Sequence, residues 1–109
     1  MESTQALAAF GALSQETRLA ALRLLIAAGP QGLAAGQLAT QLAVPANTLS
    51  AHLNTLSQAG LVTSHRDGRR VIYTARTETM AALIAYLTRD CCGGAPNLCF
   101  TAPFGTDQP

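Results

Sequence analysis

Cys91, Cys92 and Cys99 are the only cysteines in the 109-residue chain, and all three fall in the short stretch "RDCCGGAPNLC". Thiols gathered in this way can share a soft ion as thiolates, or they can oxidise to a disulfide. Cysteines that merely fill space are a poor reading, because a Gly-rich segment has little core to fill. Neighbouring residues on a helix point about 100° apart, so Cys91 and Cys92 would diverge if a helix continued through them. Gly93 and Gly94 release the backbone and Pro96 turns it, which lets Cys99 fold back over the pair. With no His nearby and no obvious fourth ligand, three thiolates suit an ion that prefers three soft sulfurs in a pyramid. Zinc normally takes four ligands.

What positions those thiols depends on the rest of the chain. A length of 109 residues is one domain with one modest core, small enough that self-association helps to stabilise it. Hydrophobic residues make up 49% and are mostly Ala and Leu, with few aromatics, which favours helices over strands. No apolar run approaches the ~20 residues that a membrane span needs, and the N-terminus lacks the basic start and long apolar centre of a signal peptide. The expectation is a cytoplasmic protein with no membrane partner. In that reducing compartment clustered cysteines bind something more readily than they form a structural disulfide.

The formal net charge of +1 conceals an uneven distribution. Residues 1–49 are balanced, Arg18 and Arg23 against Glu2 and Glu16, whereas residues 77–109 carry an excess of acid in Glu78, Asp90 and Asp107 against Arg89. The positive excess lies between 50 and 76, where Arg66, Arg69, Arg70 and Arg76 face only Asp67. A local basic patch of this kind is the electrostatic footprint of a nucleic-acid binder.

Periodicity supplies the elements. Residues 3–12 read as a short helix, apolar through Ala6, Leu7, Ala9 and Phe10. A second helix has Ser14 placed to cap it, Glu16 in its first turn, and the stripe Leu19, Leu22, Leu25 and Ile26; "AGPQG" ends it. A third runs from about Ala35 to Leu42, its start poorly marked because Ala34 cannot cap. Pro45 suits the first turn of a fourth, which buries Leu49, Leu53 and Leu56 and stops at Gly60. "LVTSHRDGRRVIYTA" then reads as a hairpin turning through Asp67-Gly68. Thr77 caps a last helix with the stripe Met80, Leu83, Ile84 and Leu87, which ends at the cysteines and Gly93-Gly94. The Gly- and Pro-rich segment 93–109 forms a separate tail that contributes Cys99.

Two short helices joined by a tight turn, the second followed directly by a basic hairpin, is the layout of a winged helix-turn-helix. In that layout the second helix enters the major groove of double-stranded DNA and the hairpin reaches the flanking phosphates. The expected fold class is mainly α with a β-hairpin wing. With three leucines of the fourth helix buried, its opposite face offers Asn47, Thr48, Ser50, Ala51 and Asn54. Asn can pair with adenine through two hydrogen bonds, and Ser or Thr can serve base edges or phosphates. No Arg lies on this helix, so the electrostatic share of binding falls on Arg66, Arg69 and Arg70, with His65 beside them. His52 flanks Leu53 and reads as a residue at the edge of the core rather than a base contact. A solvated polar face and a soluble Arg-rich hairpin are each common on their own; their adjacency within about fifty residues favours DNA.

"ALSQETRLAALRLL", "LAVPANTLSAHLNTLSQAGLVTSHRDGRRVIYTA" and "MAALIAYLTRDCC" resemble the ArsR/SmtB family of small metalloregulatory repressors, from about residue 5 to 92. The resemblance implies a winged-helix homodimer joined through its first and last helices, with residues 1–92 as the DNA-binding and dimerisation domain. It also implies a protein bound to operator DNA until an inducer releases it. One arsenic site of the family places cysteines on the helix before the recognition helix, where this chain reads "AAGQLATQL"; a zinc site on the last helix needs His, which this helix lacks. "CCGG" followed by a third Cys is similar to a group of arsenic-responsive members. That likeness implies Cys91, Cys92 and Cys99 as ligands of As(III), and of Sb(III) as a related species, with no constitutive cofactor. Cys99 is the less secure ligand, because two thiols suffice for a methylated arsenical. Cadmium or lead, and a thiol redox switch, remain alternatives on the same scaffold. An enzyme or metallochaperone has less to recommend it, since no acid, base or nucleophile constellation accompanies the thiols and no loop cradles phosphate.

Overall fold

A computed structural model describes residues 1–89. Five helices and a small antiparallel sheet follow one another as α1 (Ser3–Leu13), α2 (Glu16–Ala28), a short 3-10 turn (Gly29–Gln31), β1 (Leu33–Ala34), α3 (Ala35–Leu42), α4 (Ala46–Gln58), β2 (Val62–Asp67), β3 (Arg70–Ala75) and α5 (Thr77–Leu87). This is the expected winged helix-turn-helix order, with one addition. Leu33–Ala34 pairs with Tyr73 and Ile72, so the sheet has three strands in the order β1-β3-β2. The tail 93–109, all three cysteines and the far end of the expected 1–92 domain lie outside the described residues.

Leu22 and Leu25 of α2, Leu38 of α3, and Leu49, Leu53 and Leu56 of α4 are fully buried together with Leu61 and Val62. Ala6, Ala9 and Ala12 of α1 join them, their small side chains forming the buried face of that helix. On α1, α2 and α5 only part of the expected apolar stripe is covered. Leu7 is 70% exposed, Phe10 41%, Leu19 45%, Ile26 44% and Leu87 59%, while on α5 Leu83 alone is buried. Periodicity identified the apolar faces correctly; among the described residues nothing covers their outer edges.

Three expected helix starts are placed differently. The hydroxyl of Ser14 donates back to the Gly11 carbonyl at 2.9 Å and closes α1, while Gln15 caps α2 by accepting from the Arg18 amide at 2.8 Å. Thr77 is the first residue of α5, and the cap position belongs to Arg76, whose own amide donates to Leu61 O at 2.9 Å. Pro45 precedes α4 rather than entering its first turn. Helix α5 also ends earlier than expected: it closes at Leu87, where the Thr88 amide donates to Ile84 O, short of the cysteines.

Gly60, at φ +79°, ends α4 as expected, with Leu61 N–H donating to Leu56 O and Gly60 N–H to Ser57 O. The turn between α3 and α4 repeats this pattern with alanine in the left-handed position. Ala43 has φ +56°, and Val44 and Ala43 donate to Ala39 O and Thr40 O. A Cβ in that conformation costs on the order of 1 kcal/mol, so Ala43→Gly is expected to raise the thermal midpoint slightly; a lowered midpoint contradicts this. Gly32 has the opposite sensitivity. At φ +68°, a Cβ there would lie 2.2 Å from Tyr73 O. Gly32→Ala must therefore push β1 off β3, with an expected loss of more than about 2 kcal/mol read as a lower urea midpoint.

Candidate nucleic-acid interface

Helices α3 and α4 are separated by only Ala43, Val44 and Pro45, and the three buried leucines of α4 fix which side of that helix faces outward. Asn47, Thr48, Ser50, Ala51 and Asn54 are all exposed, as their positions opposite Leu49, Leu53 and Leu56 require. The face has the character expected of it: short polar groups near the N-terminal half of a helix, with no charged side chain among them.

The hairpin supplies the charge. Val62 is buried, and from Thr63 to Asp67 strand β2 is exposed at every residue. His65 and Arg66 lie on this strand opposite Ile72 and Val71, and Asp67 pairs with Arg70. The two-residue loop is Gly68-Arg69, one residue later than the Asp67-Gly68 turn expected. Among these, positive φ occurs only at Gly68 (+66°), the pattern of a type II′ hairpin turn. Arg66, Arg69 and Arg70 are exposed. Among the described residues the one carboxylate–guanidinium pair is Arg76 with Glu78, at 3.4 Å. Arg76 is thus partly neutralised at the start of α5, and the unpaired positive charge concentrates on the wing. The Glu78 carboxylate is held below its ordinary range, first by a backbone N–H at the helix start and less by Arg76.

Gln37, to which sequence reasoning assigned no role, connects the two halves of the surface. Its side-chain oxygen accepts from the Ala34 amide at 2.8 Å, supplying the start of α3 that Ala34 itself cannot cap, and also from Arg70 Nη2 at 3.3 Å. One amide group thus bridges the wing and the start of α3, beside the β1–β3 pairing that joins them. A groove of about 620 Å³ lies between them, flanked by Gly36, Gln37, Arg69 and Arg70. His52 is half-buried at the edge of the core, as its place beside Leu53 suggested, with Nδ1 3.2 Å from Arg18 Nη1. Among the described residues no three His, Cys, Asp or Glu side chains gather to hold a metal ion. Cys91, Cys92 and Cys99 lie beyond those residues.

Comparisons with known proteins place the chain among helix-turn-helix regulators. Residues 13–65 match a family model described as a helix-turn-helix domain. The HTH-type transcriptional regulator YgaV of Escherichia coli (strain K12) is 35% identical over 88 residues, covering 81% of this chain and 87% of that protein. Among solved structures, an ArsR-like transcriptional regulator from Rhodococcus sp. RHA1 superposes with a TM-score of 0.73 at 30% identity, covering 96% of both chains. The homodimeric winged helix-turn-helix DNA-binding domain Mb0332 from Mycobacterium bovis, a possible ArsR-family transcriptional regulator, gives 0.65 at 30% identity, covering 80% of this chain and 81% of that one.

Proposed function

The chain belongs to the ArsR-type family of helix-turn-helix transcriptional regulators, and from that premise we propose that it is a homodimeric repressor released from operator DNA by trivalent arsenic bound to Cys91, Cys92 and Cys99. The observation that carries the DNA half is the wing docked through Arg70 and Gln37 beside an uncharged polar helix face. Base edges are read by Asn47, Thr48, Ser50, Ala51 and Asn54, while Arg66, Arg69 and Arg70, with His65, take the phosphates.

Dimerisation is supported by the exposed apolar residues Leu7 and Phe10 on α1 and Leu87 on α5, and by the homodimeric Mycobacterium bovis neighbour. Helices α1 and α5 already meet within one chain, where the Ser3 and Tyr86 hydroxyls are hydrogen-bonded. No described helix is long and apolar enough to cross a membrane.

The inducer half rests on the donor set. Three sulfurs, with no His near them in the sequence, match a pyramidal trivalent centre. Each thiol that binds arsenous acid gives its proton to a leaving hydroxyl; an As–S bond replaces an As–O bond, water departs, and no electrons are transferred. The test uses a duplex selected from a random pool by the reduced wild-type protein and follows its fluorescence anisotropy. Arsenite and antimonite are expected to release it at about one equivalent per subunit. Release by peroxide but not arsenite replaces this reading with a redox switch, and release by cadmium or lead alone replaces it with a divalent-metal sensor.

A further inference from the structure

Arg18, the third residue of α2, ties three helices together. Its Nε donates to the Ala12 carbonyl near the end of α1 at 2.6 Å, and its Nη1 lies 3.2 Å from Nδ1 of His52 in the middle of α4. The Arg18 amide is held in turn by Gln15 Oε1. The Arg18 guanidinium offers only donors, so in this contact Nδ1 of His52 is the acceptor. Among the described residues Arg18 forms no ion pair. Its bonds are directional contacts from a rigid planar fork to two neutral dipoles.

The position of His52 gives these contacts their consequence. Leu49, Leu53 and Leu56 set the depth of α4 in the core and the side it turns outward. His52 sits on the flank between that buried row and the exposed face. A directional bond to the flank narrows the rotation that remains. Turning α4 about its axis swings Asn47, Ser50 and Asn54 together, and base readout tolerates little such movement.

We propose that Arg18 is a positioning residue for DNA recognition: a strut from the end of α1 that sets the rotation of α4 through His52. Because α1 is also a dimerisation helix, the strut carries a movement of the subunit interface directly to the reading head. The inference rests on α4 being the base-reading helix.

The experiment compares affinity for the selected duplex with affinity for a scrambled duplex of equal length, using the full chain. Arg18→Met and His52→Leu are each expected to lower the preference about tenfold, the size of one coupling between residues in contact. The double variant is expected to lose no more than either single one, and scrambled-duplex affinity to stay within about twofold. His52→Asn, whose amide oxygen offers an acceptor near the place of Nδ1, is expected to restore the preference. Should Arg18→Met fail to fold, the two His52 variants still decide. Additive losses, or equal losses in His52→Leu and His52→Asn, overturn the strut. Asn47→Ala separates the two levels. If it loses the preference while His52→Leu keeps it, only the strut is overturned; if both keep it, the reading of α4 is overturned as well.

Discussion

The reduced double variant Cys91→Ser, Cys92→Ser is expected to hold its duplex as tightly as the wild type and to keep holding it when arsenite is added. A single remaining sulfur cannot chelate, so each As–S bond it makes is lost to hydrolysis without a neighbour to retain the ion. The proposed ligand site lies, in sequence, close to where α5 has ended, since Leu87 precedes Cys91 by only four positions. The start of α5 is fastened to the exit of α4: Thr79 Oγ1 donates to Gly60 O at 2.7 Å and the Arg76 amide to Leu61 O at 2.9 Å. A pull on α5 therefore bears on the body that carries α4. An effector can weaken DNA binding only by its preference for the arrangement that does not bind, and such preferences correspond to about 5- to 150-fold in affinity. That factor is the expected wild-type response to arsenite, falling to none in the double variant. Cys99→Ser is expected to retain part of the response, since two thiols still chelate. Full release of DNA from the double variant contradicts the ligand assignment.

Neutralising the wing is expected to produce the second large effect, distinguishable by its salt dependence. Every phosphate that the protein no longer neutralises reduces the slope of log affinity against log salt by about 0.9, and a dimer gives up two for each wing arginine removed. Arg69→Ala is thus expected to flatten the slope by about 1.8 and to weaken selected and random duplexes alike. Replacing Arg66, Arg69 and Arg70 together multiplies the effect. Stability is expected to change little in Arg66→Ala and Arg69→Ala, because both side chains are exposed and neither forms an ion pair among the described residues, whereas Arg70→Ala also removes the bond to Gln37. Asn47→Ala provides the contrast: about 1–3 kcal/mol of binding forfeited on the selected duplex, an unchanged slope, and random DNA unaffected. Equal weakening on both duplexes for both variants contradicts the division between phosphate and base contacts.

The DNA-reading unit was largely legible in the chain because its signals are local. Leucines at 49, 53 and 56 define the buried side of α4, glycines at 60 and 68 take the left-handed conformations, and the basic run lies within one hairpin. Features fixed by long-range partners were not legible. Strand β1 is two residues long and exists because β3 pairs with it across a glycine that leaves no room for a side chain. Ser14 and Thr77 have the right chemistry for caps, yet Gln15 reaches the Arg18 amide instead, and Arg76 is placed by its bond to Leu61. Gln37 and Arg18 were assigned no role from the sequence; the contacts of each depend on what another helix or strand brings within reach. Leu19, Ile26 and Leu87 show the limit of periodicity, which marks an apolar face without naming what covers it. The cysteines were legible as chemistry only, through three sulfurs and the absence of His.

Arsenic X-ray absorption of the reduced protein, loaded with one equivalent of arsenite per subunit, tests the sensor assignment most directly. The expected spectrum has a single shell of three sulfur neighbours that disappears in the Cys91→Ser, Cys92→Ser variant. A first shell of oxygen in the wild type, or a sulfur shell that survives loss of both cysteines, contradicts it.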